Sequence, residues 1–266
     1  MQKYNFSLKV RKKITQTIHC EVLFIIFVCE NKHNFIYMRK IITLATFLSL
    51  AFMANAQTAQ DVLETAQKAN DYFMAKYSDP TTPTFVRKIR PSSLWTRAVY
   101  YEGLMELYTI DQQQRYIDYA IRWADFHNWT PRNGVTTTDA DDQCCGQTYY
   151  LLQPFTERQN PMEKVLENLD KQIASGRCDY WTWIDAIQMA MPLYAMAYKQ
   201  TGDRKYIDYA MKAYRWSRNE CGGGLFNTAN GFWWRDKDYV PPYKEADGKD
   251  CYWSRGDGWV YAALVR

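Results

Sequence analysis

From about residue 58 onward the apolar positions recur every three or four residues, in blocks separated by breakers. Val99, Gly103, Leu104, Leu107 and Tyr108 fall on one side of a helical wheel. The same spacing predicts helices over roughly 58–76, 112–127, 146–157, 162–173, 184–200 and 203–219. Pro80 and Pro83, Pro131 to Gly134, Gly176, Gly202, Gly222 to Gly224 and Pro241 to Gly248 divide these blocks. Alternation of the strand type is scarce, so the pattern reads as all-α.

An internal repeat sharpens this reading. Tyr-Ile-Asp-Tyr-Ala occurs at 116–120 and again at 206–210, an offset of 90 residues. Tyr116, Tyr119, Ala120, Trp123 and Phe126 share a helical register with Tyr206, Tyr209, Ala210, Ala213 and Trp216. Asp111 and Asp203 precede the two copies, where each could cap a helix. Ninety residues make about two helical hairpins, the scale of helix-pair repeats. Such hairpins can close into an (α/α)6 toroid of inner and outer helices, with loops at one end forming a pocket. Twelve helices at this spacing need somewhat over ~250 residues. The 210 residues after Ala56, ending within the helix-like run Trp259 to Arg266, predict an incomplete toroid, truncated at its C-terminal side.

The segment from Met38 to Gln57 is of a different kind. Arg39 and Lys40 precede an apolar run from Ile41 to Met53 and then Ala54-Asn55-Ala56. This predicts a secretory signal peptide over 38–56, cleaved after Ala56, with residues 1–37 an over-extended start that is not folded. The folded domain is then expected to run from 57 to 266. The apolar run is short for a membrane span and no Cys follows it, so a soluble periplasmic or secreted protein is expected.

Removing that leader reverses the charge. The whole chain carries +4, but residues 57–266 hold 25 basic against 27 acidic side chains. Nothing then points to nucleic acid or to an anionic membrane as partner. His127 is the one histidine outside the leader, which leaves little for a His-rich metal site or a Ser-His-Asp triad. Cys144, Cys145, Cys178, Cys221 and Cys251 make an odd count with no CxxC pair, so buried free thiols are expected rather than zinc.

Aromatics make up 16% of the chain, and three loop-to-helix junctions combine them with acids or cations. Asp139, Asp141 and Asp142 open the helix that continues through Gly146-Gln147-Thr148-Tyr149, an arrangement that also suits a helix N-terminus electrostatically. Asp185 is a lone acid among Trp181, Trp183, Met189 and Met191. Burial there raises a carboxyl pKa, as a general acid near neutral pH requires, although an Asp capping the next helix has the same pattern. In Tyr252-Trp253-Ser254-Arg255-Gly256-Asp257-Gly258-Trp259, Arg255 and Trp259 lie one helical turn apart, so a guanidinium could grip a carboxylate beside an indole. A surface Arg beside a core Trp has the same spacing.

Together these junctions resemble the unsaturated glucuronyl and rhamnogalacturonyl hydrolases, glycoside hydrolase families 88 and 105, over roughly residues 60–266. The most specific parts are Trp183-x-Asp185 followed by Met-x-Met-Pro, and Trp253-Ser-Arg-Gly-x-Gly-Trp259. Asp-Asp-x-x-x-Gly-Gln-Thr-Tyr and Thr-Gly-Asp-x-Lys-Tyr at 201–206 add to it, and the pattern looks closer to family 105.

The resemblance implies an (α/α)6 barrel without metal or organic cofactor. It implies an oligosaccharide substrate ending in a 4,5-unsaturated uronic acid, as in unsaturated galacturonyl-rhamnose from pectin. Asp185 would be the general acid and base, and Trp183 would line the sugar site. Asp141 or Asp142 would hold the ring, while Arg255, Trp253 and Trp259 would contact the uronate and its neighbour. Asp257 stands where many members have Asn, and the His that some members carry after Gly224-Leu225-Phe226 is absent. A barrel enzyme using an acid pair from Asp141, Asp142 and Asp185 on neutral glycans is one alternative, and a non-catalytic glycan-binding protein another.

Overall fold

The structure, a computed structural model, describes residues 58–266. The expected leader at 38–56 and the segment 1–37 lie outside the described residues. The chain divides into two units, Met1–Glu64 and Thr65–Arg266. Of the first, residues 58–64 are described and begin helix α1 (Ala59–Lys76).

The second unit continues α1 and adds a small hairpin, β1 (Thr84–Val86) and β2 (Lys88–Arg90). Thr84 pairs with Arg90 and Val86 with Lys88, around Arg87 at φ 60°. Helices α2 (Trp95–Tyr108), α3 (Gln114–Phe126), α4 (Ala140–Gln143), α5 (Cys145–Leu152), α6 (Glu163–Ala174), α7 (Asp185–Thr201), α8 (Lys205–Asn219) and α9 (Ser254–Val265) follow. This hairpin is the one sheet among the described residues, so the expected all-α class holds.

Two rows of helices form. In the inner row α2 packs on α4 and α5, these pack on α7, and α7 packs on α9. Behind it, α3 packs on α2 and α5, while α6 packs on α8 and α8 on α7. The difference is legible in burial. Outer helices bury one stripe: Tyr116, Tyr119, Ala120 and Trp123 in α3, and Tyr206, Tyr209, Ala210, Ala213 and Ser217 in α8. The repeat therefore occupies equivalent outer positions, except that Phe126 is exposed and Ser217 takes the place expected for Trp216. Of the two expected caps only Asp203 serves, accepting the Lys205 N–H at 3.0 Å. Asp111 instead accepts the Tyr116 hydroxyl at 2.8 Å.

Inner helix α7 is buried from Asp185 to Ala190 without a break. Pro192 lies inside it and has no N–H for the Gln188 carbonyl, one turn back. Gln147 of α5 supplies the missing donor, its Nε2 donating to Gln188 O at 2.8 Å and to Met189 O at 3.0 Å. The contact is possible because α5 approaches through Gly146, where a Cβ would come 2.9 Å from Leu193 Cδ2. The Gln172 and Asn168 amides of α6 gather around Gln143 in the same layer, at 2.5 and 2.8 Å.

Gln147→Leu should therefore lower unfolding free energy by roughly 1–3 kcal/mol for each carbonyl left buried and unpaired. The cost should shrink in a Pro192→Ala background, where residue 192 again donates to Gln188 O. Urea denaturation of the two single variants and the double variant measures this. An identical cost of Gln147→Leu in both backgrounds would show that the amide does not compensate for the proline.

Candidate active site

The inner row delivers its N-terminal ends to one place. Trp95 begins α2, Asp141 lies in α4, Asp185 begins α7 and Arg255 is the second residue of α9; all four line one pocket of about 540 Å³. Aligned N–H groups at helix starts favour negative charge, so this rim is electrostatically suited to an anionic ligand.

Asp185 lines the pocket, 7% exposed, with Oδ2 buried and unpartnered. Burial raises its carboxyl above the ordinary range, while its own backbone N–H, Arg235 and Arg255 oppose that rise and Asp236 adds to it. A proton on Oδ2 is held by no protein acceptor and is left for a ligand.

Asp141 is the second carboxyl in the pocket. Burial pushes it up to about 7, with Asp139, Asp185 and Asp142 adding repulsion and Arg132 opposing. Its backbone N–H donates to Asp139 Oδ1 at 2.9 Å, which ties the turn that presents it.

Asp142 does not line the pocket, contrary to a shared role with Asp141. Its carboxylate is buried against the 131–137 loop, with Oδ1 3.1 Å from Arg132 Nε. Oδ2 accepts from Asn133 Nδ2 at 2.9 Å and from the Thr137 hydroxyl at 2.7 Å. Successive residues on a helix point about 100° apart, so one of an adjacent acid pair faces the pocket and the other the loop.

Trp259 is likewise absent from the lining. Four residues beyond Arg255 in α9, it lies about 6 Å further along the helix axis. The indole beside Arg255 is Trp253 instead, whose ring centroid is 4.2 Å from the guanidinium carbon. Arg255 forms no ion pair among the described residues, so its charge is available in the pocket. Trp183 also lines the pocket.

Trp95, Arg235 and Tyr239 line the pocket without a signal having been read for them, and Cys251 and Tyr252 line it without having been given a role there. Arg235 arrives on an extended segment that pairs with the approach to α7. Ile184 N–H donates to Arg235 O at 2.9 Å, and Trp183 bridges Asp236 in antiparallel sense. Arg235 also ion-pairs with Asp236 at 2.6 Å. The Trp233-Trp234-Arg235 run was the available signal.

Asp257 fixes that segment to α9. It is buried, and its Oδ1 accepts the Trp233 N–H at 2.8 Å. An Asn side chain carries the same acceptor, which accounts physically for either residue at this position. Gly256, beside it, lets α9 approach closely, since a Cβ would come 2.6 Å from Ile184 Cδ1; Gly258 faces open space.

Asn227 follows Gly224-Leu225-Phe226 where a His was noted as absent. Its Nδ2 donates to the Tyr252 hydroxyl at 2.7 Å, Asn230 does so at 2.9 Å, and that hydroxyl donates to Asp250. Tyr252 is thereby held at the pocket wall. Cys144, Cys145 and Cys221 are buried thiols as expected, whereas Cys178 and Cys251 are half-exposed. Among the described residues no group of three His, Cys, Asp or Glu side chains could hold a metal ion.

Comparison with known proteins places the fold and the family. The family model described as Glycosyl Hydrolase Family 88 matches residues 65–266. A curated relative from Formosa agariphila, an unsaturated 3S-rhamnoglycuronyl hydrolase, is 28% identical over 192 residues, covering 64% of this chain and 49% of its own. A solved structure described as a glycosyl hydrolase family 88 protein from Bacteroides vulgatus matches with a TM-score of 0.68 and 26% identity, over 78% of this chain and 60% of that one. Another, described as a polysaccharide lyase, matches with a TM-score of 0.68 and 25% identity, over 78% and 59%. The shared fold is of the (α/α)6 toroid type. The chain spans about half the length of the curated relatives it matches.

The mutual repulsion of the two pocket carboxyls is directly measurable. Carbon-detected NMR titration should find Asp141 with a midpoint near 7 in the wild type. In Asp185→Asn the midpoint should fall, because one negative neighbour is gone. An unchanged or higher midpoint would mean that the two carboxyls do not share the pocket.

Proposed function

The chain belongs to glycosyl hydrolase family 88, and from that premise we propose that it removes a terminal 4,5-unsaturated uronic acid from oligosaccharides left by polysaccharide lyases. The observation that carries this reading is Asp185: a buried carboxyl with one unpartnered oxygen, at the meeting point of inner-helix N-termini, in a pocket lined by two arginines and three tryptophans. The curated relative's name, which specifies an unsaturated rhamnoglycuronyl substrate, supports the substrate class. Unsaturated galacturonyl-rhamnose from pectin is one candidate within it.

The reaction needs one carboxyl group rather than the opposed pair of ordinary glycosidases. Asp185, protonated, gives its proton to carbon 4 of the vinyl ether. Positive charge develops at carbon 5 and the ring oxygen. The carboxylate then takes a proton from water as the water adds to carbon 5, forming a hemiketal. The hemiketal opens to a ketone and the former anomeric carbon releases the neighbouring sugar. Asp185 ends protonated, so acid and base are the same group. Arg255 holds the substrate carboxylate over Trp253, and Asp141, near its midpoint at neutral pH, binds ring hydroxyls as donor or acceptor.

The match to a protein described as a polysaccharide lyase favours one rival. A lyase creates the double bond that the proposed hydrolase consumes, so the sign of one signal separates them. With unsaturated disaccharides from pectin and glycosaminoglycan digests, ultraviolet absorbance should fall. A rise on intact polysaccharide, with no fall on the disaccharides, would establish the lyase instead.

Asp185→Asn should lower kcat about 10² to 10⁴-fold with little change in substrate affinity. Arg255→Ala should chiefly raise KM. It should also move the alkaline limb to higher pH, since the lost guanidinium had favoured the ionised carboxyl and the acid form now persists further. Retention of more than about a tenth of kcat in Asp185→Asn would overturn the assignment, being outside that range.

A further inference from the structure

A second pocket, of about 330 Å³, lies at the first turn of α2 and is lined by Phe73, Tyr77, Thr84, Arg90, Thr96 and Arg97. None of these side chains takes part in the proposed reaction. Arg97 is 4% exposed, yet among the described residues neither it nor Arg90 forms an ion pair. Its guanidinium carbon lies 4.3 Å from the Tyr77 ring centroid and 5.2 Å from that of Phe73. Nη2 donates to Thr84 Oγ1 at 2.8 Å and to Thr82 O at 3.4 Å. Nη1 has no hydrogen-bond partner, and neither has the buried Nε of Arg90. The buried Tyr101 hydroxyl has no hydrogen-bond partner either.

A buried cation is tolerated when a counter-charge or enough hydrogen bonds replace water. Here two aromatic faces and two neutral acceptors take up part of the Arg97 charge, and no carboxylate of the lining neutralises it. Two guanidinium N–H groups from different elements, β2 and α2, are left over at the same cavity. Thr84 accepts from Arg97 and keeps its hydroxyl proton to donate.

We propose that this pocket binds a small oxyanion, a sulfate, phosphate or carboxylate group, between Arg97 Nη1 and Arg90 Nε. Such a group supplies the acceptors and the charge that the protein itself omits. It is held free or as a substituent of a sugar, the chemistry of contact being the same.

Calorimetric titration of the whole chain with inorganic sulfate tests this. The catalytic-pocket arginines are silenced in a parallel variant, Arg235→Gln with Arg255→Gln. One saturable site should be present in the wild type, persist in that double variant, and weaken about tenfold or more in Arg90→Gln. Arg90 is the better target because Arg97 also ties down the 82–84 segment. Displacement of sulfate by glucuronate identifies a sugar-borne group, and no displacement identifies a free ion; either supports the site. Absence of saturable binding, or binding that survives Arg90→Gln but vanishes in the double variant, would overturn it.

Discussion

A charge on a helix packed on several sides is costly unless it finds a partner or an opening. Helix α7 touches α4, α5, α8 and α9, and every residue of its first turn and a half is buried. Asp185 occupies its first position, where the pocket gives the carboxyl its opening. The surrounding apolar mass raises the carboxyl's pKa, and the cations that moderate this come from outside α7, on the 233–236 segment and α9. Proton affinity and location thus have one cause, the burial of the helix that carries the acid.

Keeping that helix in place requires solving a problem the sequence creates for itself. Pro192 withholds a backbone donor in the middle of a buried helix, and Gln147 provides it from α5. On the opposite flank Gly256 admits α9 against Ile184, and Asp257 fastens Trp233 so that Arg235 is carried to the pocket. The site is therefore assembled from five separate chain regions, and a glutamine, a glycine and an aspartate help set their spacing. None of these three residues needs to touch the ligand.

The helices were readable because outer elements such as α3 and α8 keep a single apolar stripe, and the repeated Tyr-Ile-Asp-Tyr-Ala marks both. Asp185 was readable because a lone acid in an apolar context has few uses. Periodicity could not separate Asp141 from Asp142, since both belong to one short helix and only the packing of the 131–137 loop decides which is turned away. Spacing alone also favoured Trp259 over Trp253 as the partner of Arg255. It reported that two residues share a helix face without reporting how deep along the axis the pocket lies. Arg235 was harder to place: beyond its Trp-Trp-Arg run, it reaches the site through backbone pairing with Trp183 and Ile184, which side-chain periodicity does not record.

The central claim is that Asp185 delivers a proton to carbon 4 of an unsaturated uronate. Reaction in heavy water, followed by NMR at early times before exchange beside the new ketone, reads this directly. The account predicts a 4-deoxy-5-keto product bearing one deuterium at carbon 4, formed by the wild type and not by Asp185→Asn. Release of the uronate with its 4,5 double bond intact would contradict it.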